Sequence, residues 1–237
     1  MNKLLAFLKE NRAYSETFGI FEIGHTVDGT NEDGTCREVT KLGAAFFSKA
    51  LSEEDLFMHC RDIIAELSAD ILHKNAVFTS IEPAFDYMHP VNTFEVSVDG
   101  VKVGVLSVPH PTVLGNIDKK CAVAFFEIET AAFASVKVGK VKYAEPSKFP
   151  AIDIDLTFNA DVSAINFASL TESAKAAAGE LLADVKVKDI YTADGVTALT
   201  LRFSFVSAER TLSKQELQPA TDAIIAELAK SGITFKG

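Results

Sequence analysis

The sequence predicts an α+β fold in two parts, and three observations support this prediction. After Pro150, apolar residues recur with the periods of strands and helices in the order β-α-β-β-α-β. Before it, the apolar spacing predicts a long amphipathic helix, and the residues around Asp99-Gly100 predict a β-hairpin. Between these patterns, the segment 141–150 contains two prolines and several polar residues. We therefore predict a domain boundary there, with domains at 1–145 and 146–237.

The short elements of the first part follow from apolar spacing. Residues 1–9 predict an amphipathic helix, and residues 18–24 and 122–128 predict strands. Two strand-like runs flank Asp99-Gly100, and both turn residues tolerate positive φ. The sequence therefore predicts a β-hairpin at this turn.

A long helix is predicted over residues 51–72. Ser52 can cap its first turn, and Asp55 follows three residues later. The apolar residues recur at helical spacing, so they predict the buried face of this helix. They are Leu56, Cys60, Ile63, Leu67 and Ile71.

The second part begins with a half-buried strand over 152–158, where apolar residues alternate with polar ones. Residues 163–178 predict a helix that ends at Gly179 in a left-handed conformation. Strands are then predicted over 185–191 and 199–205, joined by a turn that includes Gly195. The turn residue before it is Asp194.

The last predicted helix carries the clearest local signal in the chain. Ser213 and Glu216 have the spacing of a capping box, with Leu212 and Leu217 placed as a hydrophobic staple. Pro219 lies within this pattern, so the helix either kinks or starts its regular part near that proline. The helix ends at Gly232, and a short strand over 233–235 follows.

The resulting β-α-β-β-α-β order is that of a ferredoxin-like fold, with two helices on one face of a four-stranded sheet. Side-chain alternation should direct residues 199, 201, 203 and 205 towards the helices. Thr200, Arg202 and Ser204 should then lie on the open face with Asp153 and Asp155. Arg202 is therefore predicted to pair with an acid. Many unrelated proteins share this fold, so it does not by itself predict a function.

The composition limits the function. The chain has 237 residues, of which 48% are hydrophobic and 24% charged, and no apolar run approaches the ~20 residues needed to cross a bilayer. The three cysteines are odd in number and widely spaced, which indicates a reducing, cytoplasmic location. The net charge of −10 argues against broad nucleic-acid binding, so any RNA contact must be local. We predict no membrane or DNA partner.

Specific motifs then point to one family. In the second part, they are Lys148-Phe149-Pro150 with Asp155-Leu156, Ala177-Ala178-Gly179-Glu180-Leu181-Leu182 with Asp189-Ile190-Tyr191, and Glu209-Arg210-Thr211-Leu212-Ser213 with Glu216. In the first part, they are Phe21-Glu22-Ile23-Gly24, His89-Pro90, His110-Pro111 and Phe126-Glu127-Ile128-Glu129. Together these motifs resemble the C-terminal region of the phenylalanyl-tRNA synthetase β subunit.

This resemblance implies a truncated class II synthetase-like antiparallel sheet module followed by a ferredoxin-like anticodon-binding domain. The module is a catalytically silent copy in the family, so no catalytic residue is expected here. Its arginines, Arg12, Arg37 and Arg61, are scattered, and no G-x-G-x-x-R sequence occurs. The resemblance also implies tRNA and the synthetase α subunit as partners. ATP and Mg²⁺ are expected in the assembled enzyme, and no cofactor in this fragment.

Three tRNA-binding candidates follow from the resemblance. Asp189 matches the family's acid that approaches the anticodon, and Lys236 matches its basic residue near the end of the last strand. Arg202 is a weaker candidate because of its expected acidic partner. A serine of the family falls on Ala198, so that contact is lost. An Arg-Arg pair of many members falls on residues 153 and 154, where the first residue is Asp153.

Other interpretations remain open. A stand-alone interaction module with the same fold and no tRNA contact would suit the acidic charge. A ferredoxin-like regulatory domain that binds a small ligand would call for a Gly-rich turn after the first strand, and residues 159–162 have none. We also expect His89 and His110, each before a proline, to anchor turns, and Cys60 to lie in the core.

Overall fold

A computed structural model describes residues 1–141, 145, 147–193 and 195–236. The chain divides into two compact units, Met1–Lys142 (unit 1) and Tyr143–Gly237 (unit 2). Much of the predicted boundary segment, and the predicted turn residue Asp194, lie outside the described residues. Within the described part of the chain, no helix is both long and apolar enough to span a membrane.

Unit 1 is built on a six-stranded antiparallel sheet in the order β1-β2-β6-β5-β4-β3. Its elements in chain order are α1 (Asn2–Asn11), β1 (Thr17–Thr30), β2 (Cys36–Ser48), α2 (Glu53–Leu67), β3 (Ala76–Ser80), β4 (Met88–Val98), β5 (Val101–Pro109), α3 (Pro111–Ile117), β6 (Ala122–Glu129) and α4 (Thr130–Ser135). The predicted N-terminal helix, both strands and the hairpin are therefore confirmed. Asp99 and Gly100 at the hairpin turn have φ of 53° and 79°.

Both faces of this sheet are covered, which explains why residues 122–126 of β6 are all apolar. The even-numbered residues of β6, such as Phe126, pack in a cluster with Leu56 and Cys60 of α2. On the other face, Val123 and Phe125 pack in a second cluster with Leu8 of α1. A strand with two buried faces is a continuous apolar run, not an alternating one.

The predicted buried face of the 51–72 helix is partly wrong. The Ser52 cap is confirmed, because its Oγ accepts a hydrogen bond of 3.0 Å from the backbone N–H of Asp55. The α-helical part ends at Leu67, and a π-helical turn over Ser68–Leu72 follows. The buried face departs from the predicted one already within α2, where Ile64 and not Ile63 is fully buried. Accordingly, Leu72 is buried and Ile71 is 55% exposed.

Unit 2 has a four-stranded antiparallel sheet in the order β10-β7-β9-β8. Its elements are β7 (Ile152–Asn159), α5 (Phe167–Ala178), β8 (Leu182–Ala193), β9 (Val196–Phe205), α6 (Gln218–Ala229) and β10 (Thr234–Phe235). The predicted ferredoxin-like fold is confirmed. Its core contains the alternating residues of β9 together with both helices; the buried members include Leu199, Leu201, Phe203, Phe205, Leu170 and Ile224.

Helix α5 begins later than predicted, whereas α6 begins near Pro219, which is one of the two predicted alternatives. Asn166 caps α5 by accepting a hydrogen bond of 3.1 Å from the backbone N–H of Ser169. Helix α6 starts at Gln218, with Pro219 in its first turn, where a missing N–H costs no helical hydrogen bond. Glu216 instead accepts hydrogen bonds from the backbone N–H and hydroxyl of Ser213, in a turn that precedes the helix. The predicted capping box is therefore not a cap of the regular helix.

Candidate functional site

The open face of the unit 2 sheet carries polar side chains, as predicted. Strand pairing places Asp153 opposite Ser204, Asp155 opposite Arg202 and Thr157 opposite Thr200. Paired residues of antiparallel strands point to the same side of a sheet. Since the intervening residues of β9 are buried against the helices, all three pairs lie on the face that the helices leave uncovered.

A single row of residues crosses this face from one edge strand to the other. Asp189 of β8 lies opposite Thr200, which lies opposite Thr157. Beyond β10, the backbone N–H of Lys236 donates a hydrogen bond of 2.8 Å to the carbonyl oxygen of Thr157. The predicted contacts Asp189 and Lys236 therefore stand at opposite ends of one row, three strand spacings or about 14 Å apart. We call these four residues the cross-strand row.

A β-bulge brings Asp189 onto the open face. Val187 pairs with Leu201 and Asp189 pairs with Thr200, so Lys188 is an extra residue in β8. The extra residue reverses the alternation that would otherwise direct Asp189 towards the helices. Asp189 lies within its strand, because β8 continues to Ala193.

The two ends of the cross-strand row carry charges that have no partner among the residues the structure describes. Asp189 and Lys236 are both exposed. Neither the carboxylate of Asp189 nor the ammonium of Lys236 makes a hydrogen bond or an ion pair with any described residue. A free acceptor group and a free cation are therefore available to a ligand on this face.

Tyr191 is a further candidate that the sequence interpretation did not name. It lies opposite Ala198, two residues along the strand from Asp189, so it shares the open face. Its side chain is 64% exposed. An exposed aromatic ring beside a carboxylate can stack on a nucleobase whose edge the carboxylate hydrogen-bonds. The signal was present in the Asp189-Ile190-Tyr191 motif, because residues two apart on a strand share a face.

Arg202 is paired with acids, as predicted. Its Nε and Nη2 donate to the two carboxylate oxygens of Asp155 at 2.8 and 3.0 Å, and its Nη1 lies 3.6 Å from Asp153. Lys188 also donates to Asp155. The hydrogen bonds from Arg202 and then from Lys188 hold the pKa of the Asp155 carboxyl far below its usual range. Asp155 is an ion-pair acceptor and not a general acid or base.

The described residues of unit 1 do not assemble a comparable set of reactive groups. Its arginines each lie near a surface acid: Arg12 near Asp118, Arg37 near Asp28 and Arg61 near Asp62. A cavity of 330 Å³ on the sheet is lined by residues that include Lys41, Lys102 and Glu127, with no arginine among the described ones. In the described part of the chain, no cluster of three or more His, Cys, Asp or Glu could hold a metal ion.

The histidines and the buried cysteine have structural roles, as expected. His89 Nδ1 accepts hydrogen bonds from two backbone N–H groups, and His110 Nδ1 accepts one from Thr112. Burial raises the pKa of the Cys60 thiol to about 12, so the thiol stays protonated at neutral pH. None of the three has the character of a catalytic group.

The chain matches two family models in succession. Residues 1–130 match the phenylalanyl tRNA synthetase beta chain CLM domain. Residues 147–236 match the ferredoxin-fold anticodon binding domain. The second match covers all four strands on which the open face is built.

Curated relatives are bacterial phenylalanine–tRNA ligase β subunits. That of Syntrophus aciditrophicus (strain SB) is 26% identical over 241 residues, which cover 95% of this chain and 29% of the relative. That of Aliivibrio fischeri is 32% identical over 147 residues, 60% of this chain and 18% of the relative. That of Listeria monocytogenes (serovar 1/2a) is 30% identical over 145 residues, again 60% and 18%. The chain thus spans less than a third of the length of these relatives.

Proposed function

Because this chain belongs to the family of phenylalanyl-tRNA synthetase β chains, we propose that unit 2 binds the anticodon of tRNA within a phenylalanine–tRNA ligase. Unit 1 would be a scaffold that joins unit 2 to the subunit with the active site, the α subunit. The observation that carries the proposal is the cross-strand row, whose free acid and free cation share the open face of the domain that matches anticodon-binding proteins.

In this proposal, each side chain of the open face makes a different contact with the RNA. Asp189 accepts hydrogen bonds from the N–H donors of a base edge, so it selects bases and adds no attraction for phosphate. Tyr191 offers a surface for base stacking, which is worth about 1–3 kcal/mol per base. Lys236 contacts a backbone phosphate and fixes the position of the RNA. The hydroxyls of Thr157 and Thr200, 3.1 Å apart, lie between the two ends.

No chemical step is assigned to unit 1. Adenylate formation requires cations that converge on ATP and on developing negative charge, and the described arginines of unit 1 are instead dispersed beside surface acids. The described residues therefore do not fit an ATP or Mg²⁺ site. We propose that both are bound in the assembled enzyme by the α subunit, and that this enzyme works in the cytoplasm.

A salt series tests the phosphate contact. Lys236→Ala should weaken tRNA binding by this chain and reduce the slope of log affinity against log salt by up to ~0.7–0.9, the value for one phosphate contact. The measurement is fluorescence anisotropy of labelled phenylalanine tRNA with the parent and the variant. Lys230→Ala is a matched control, since Lys230 lies at the end of α6 and pairs with Glu227. Equal slopes for Lys236→Ala and the parent would remove Lys236 from the interface.

The stand-alone interaction module remains the second candidate, and the net charge of −10 favours it. It predicts that the parent chain binds a cognate and an unrelated tRNA equally weakly. A cognate preference that depends on the cross-strand row excludes it.

A further inference from the structure

The open face contains two further cations, Arg202 and Lys188. Unlike Lys236, both are hydrogen-bonded to one carboxylate, that of Asp155. Asp155 accepts two hydrogen bonds from Arg202 and one from Lys188. Asp153 adds a second acid 3.6 Å from the Arg202 guanidinium and is itself hydrogen-bonded by Ser204 at 2.7 Å. The two acids and two cations together have no net charge.

These cations are placed where RNA could reach them. The Asp155–Arg202 pair is the next outward-facing pair after Thr157 and Thr200, so it lies directly beside the cross-strand row. The side chains of Lys188 and Arg202 are 48% and 37% exposed. Without their acidic partners they would extend the positive charge of the face along the strands.

The remaining cation of this face is also paired. Lys186 of β8 lies opposite Arg202 and forms an ion pair of 3.2 Å with Asp184. Among the described cations that face this side of the sheet, Lys236 alone has no acidic partner. The unpaired positive charge is therefore confined to one edge of the sheet.

We infer that Asp155 is a specificity-determining residue, which withholds Arg202 and Lys188 from the phosphates of bound RNA. The inference deepens the proposed function and rests on RNA lying on this face. A protein cation that is already paired with a carboxylate displaces few of the counterions condensed on the RNA. It therefore contributes little sequence-independent affinity. The face then binds RNA weakly unless the bases also fit Asp189 and Tyr191.

The pairing of these cations with Asp155 has a physical rationale in a domain that recognises only a few bases. Discrimination is the difference between the binding free energies of the correct and the wrong RNA. Weakening the binding of the wrong RNA therefore increases discrimination as much as strengthening the binding of the correct one. Backbone contacts stabilise every RNA alike. Fewer backbone contacts therefore leave a larger share of the binding free energy to the bases.

The test is whether removing the charge of Asp155 increases the affinity of the whole chain for RNA. Asp155→Asn keeps the shape of the side chain and removes its charge, which leaves the two cations with one acid fewer. Affinity for poly(U), a single-stranded RNA of no relevant sequence, should rise about threefold to tenfold at low salt, and the salt slope should steepen by ~0.7–1.4. The preference for phenylalanine tRNA over poly(U) should fall.

Three variants control for other causes of a gain. Asp222→Asn makes the same change of net charge on the exposed side of α6 and should leave poly(U) affinity unchanged. Asp155→Glu keeps the charge and should show no gain. The double variant Asp155→Asn with Arg202→Gln should show a smaller gain than Asp155→Asn alone, because it removes one of the two released cations.

The outcomes separate this inference from the proposed function. An Asp155→Asn chain that folds but binds poly(U) no better than the parent overturns the inference, as does an equal gain in Asp222→Asn. If Lys236→Ala still weakens tRNA binding in that case, the proposed function stands alone. If the parent shows no preference for its tRNA while Asp155→Asn gains poly(U) affinity, the proposed function fails and the masking of the two cations is supported.

Discussion

At the scale of single residues, three side chains decide where helices begin by accepting hydrogen bonds from free backbone N–H groups. Ser52 does so for α2 and Asn166 for α5, at 3.0 and 3.1 Å. His110 does so for the short helix α3 at 3.2 Å. The first N–H groups of a helix have no partner within it, so each such contact stabilises the start of the helix.

Asn166→Ala should lower the free energy of unfolding by ~1 kcal/mol, because the cap of α5 is lost. Ser213→Ala should cost less, since the Ser213 hydroxyl lies before α6 and its backbone N–H still bonds Glu216. Urea unfolding followed by circular dichroism measures both. Asn166→Asp is the matched control, because an aspartate accepts the same hydrogen bond and should keep most of the stability. A larger loss for Ser213→Ala than for Asn166→Ala would contradict this assignment of the caps.

Residue types alone predicted one of these caps correctly and misplaced another. Ser52 immediately precedes a clear apolar periodicity, so its role was predictable. The Ser213 and Glu216 pattern correctly indicated the packing of Leu212 and Leu217, which are buried. It did not locate the helix start, which is at Gln218, beside Pro219.

At the scale of elements, alternation predicted β9 and its open face correctly but not β8. Residues of β9 alternate without interruption, so the sequence correctly predicts Arg202 on the open face with an acidic partner. In β8, the bulge at Lys188 shifts the alternation, and no residue type in that segment marks a bulge. The motif resemblance identified Asp189 independently of the alternation, and the bulge explains how it reaches the open face.

A similar limit applies to α2 and the turn after it, where the buried residues recur every four positions from Leu56 to Leu72. The predicted face takes a step of three after Cys60, to Ile63, and therefore also falls one residue short at Ile71. A helix of 3.6 residues per turn permits steps of three or four, so the period alone does not choose between them. Tertiary packing against the sheet decides which residue is buried there.

At the scale of the whole molecule, each unit has its own apolar core. The two clusters of unit 1 and the one of unit 2 are drawn from residues on their own side of the predicted boundary. Compact units with separate cores are joined by segments in which few apolar contacts are made. The boundary between 141 and 150 stays a prediction from the sequence.

Limited proteolysis tests that boundary. Trypsin should cut within 141–150 first and release a stable piece of about residues 148–237, because the cores protect other sites. Mass spectrometry of a time course identifies the pieces, and the same digestion in urea gives the unprotected pattern. Early cuts spread evenly along the native chain would contradict the prediction of two independent units.

The proposed function depends on contacts between the cross-strand row and the bases of the anticodon. The most direct measurement is aminoacylation of phenylalanine tRNA and of an anticodon-swapped tRNA by the assembled ligase, with Asp189 intact or changed to Ala. We predict that the parent favours the cognate tRNA and that Asp189→Ala reduces this preference in kcat/KM by ~1–3 kcal/mol with little change in salt dependence. If parent and variant charge both tRNAs alike, this face does not read the anticodon, and the domain has kept its fold without that contact.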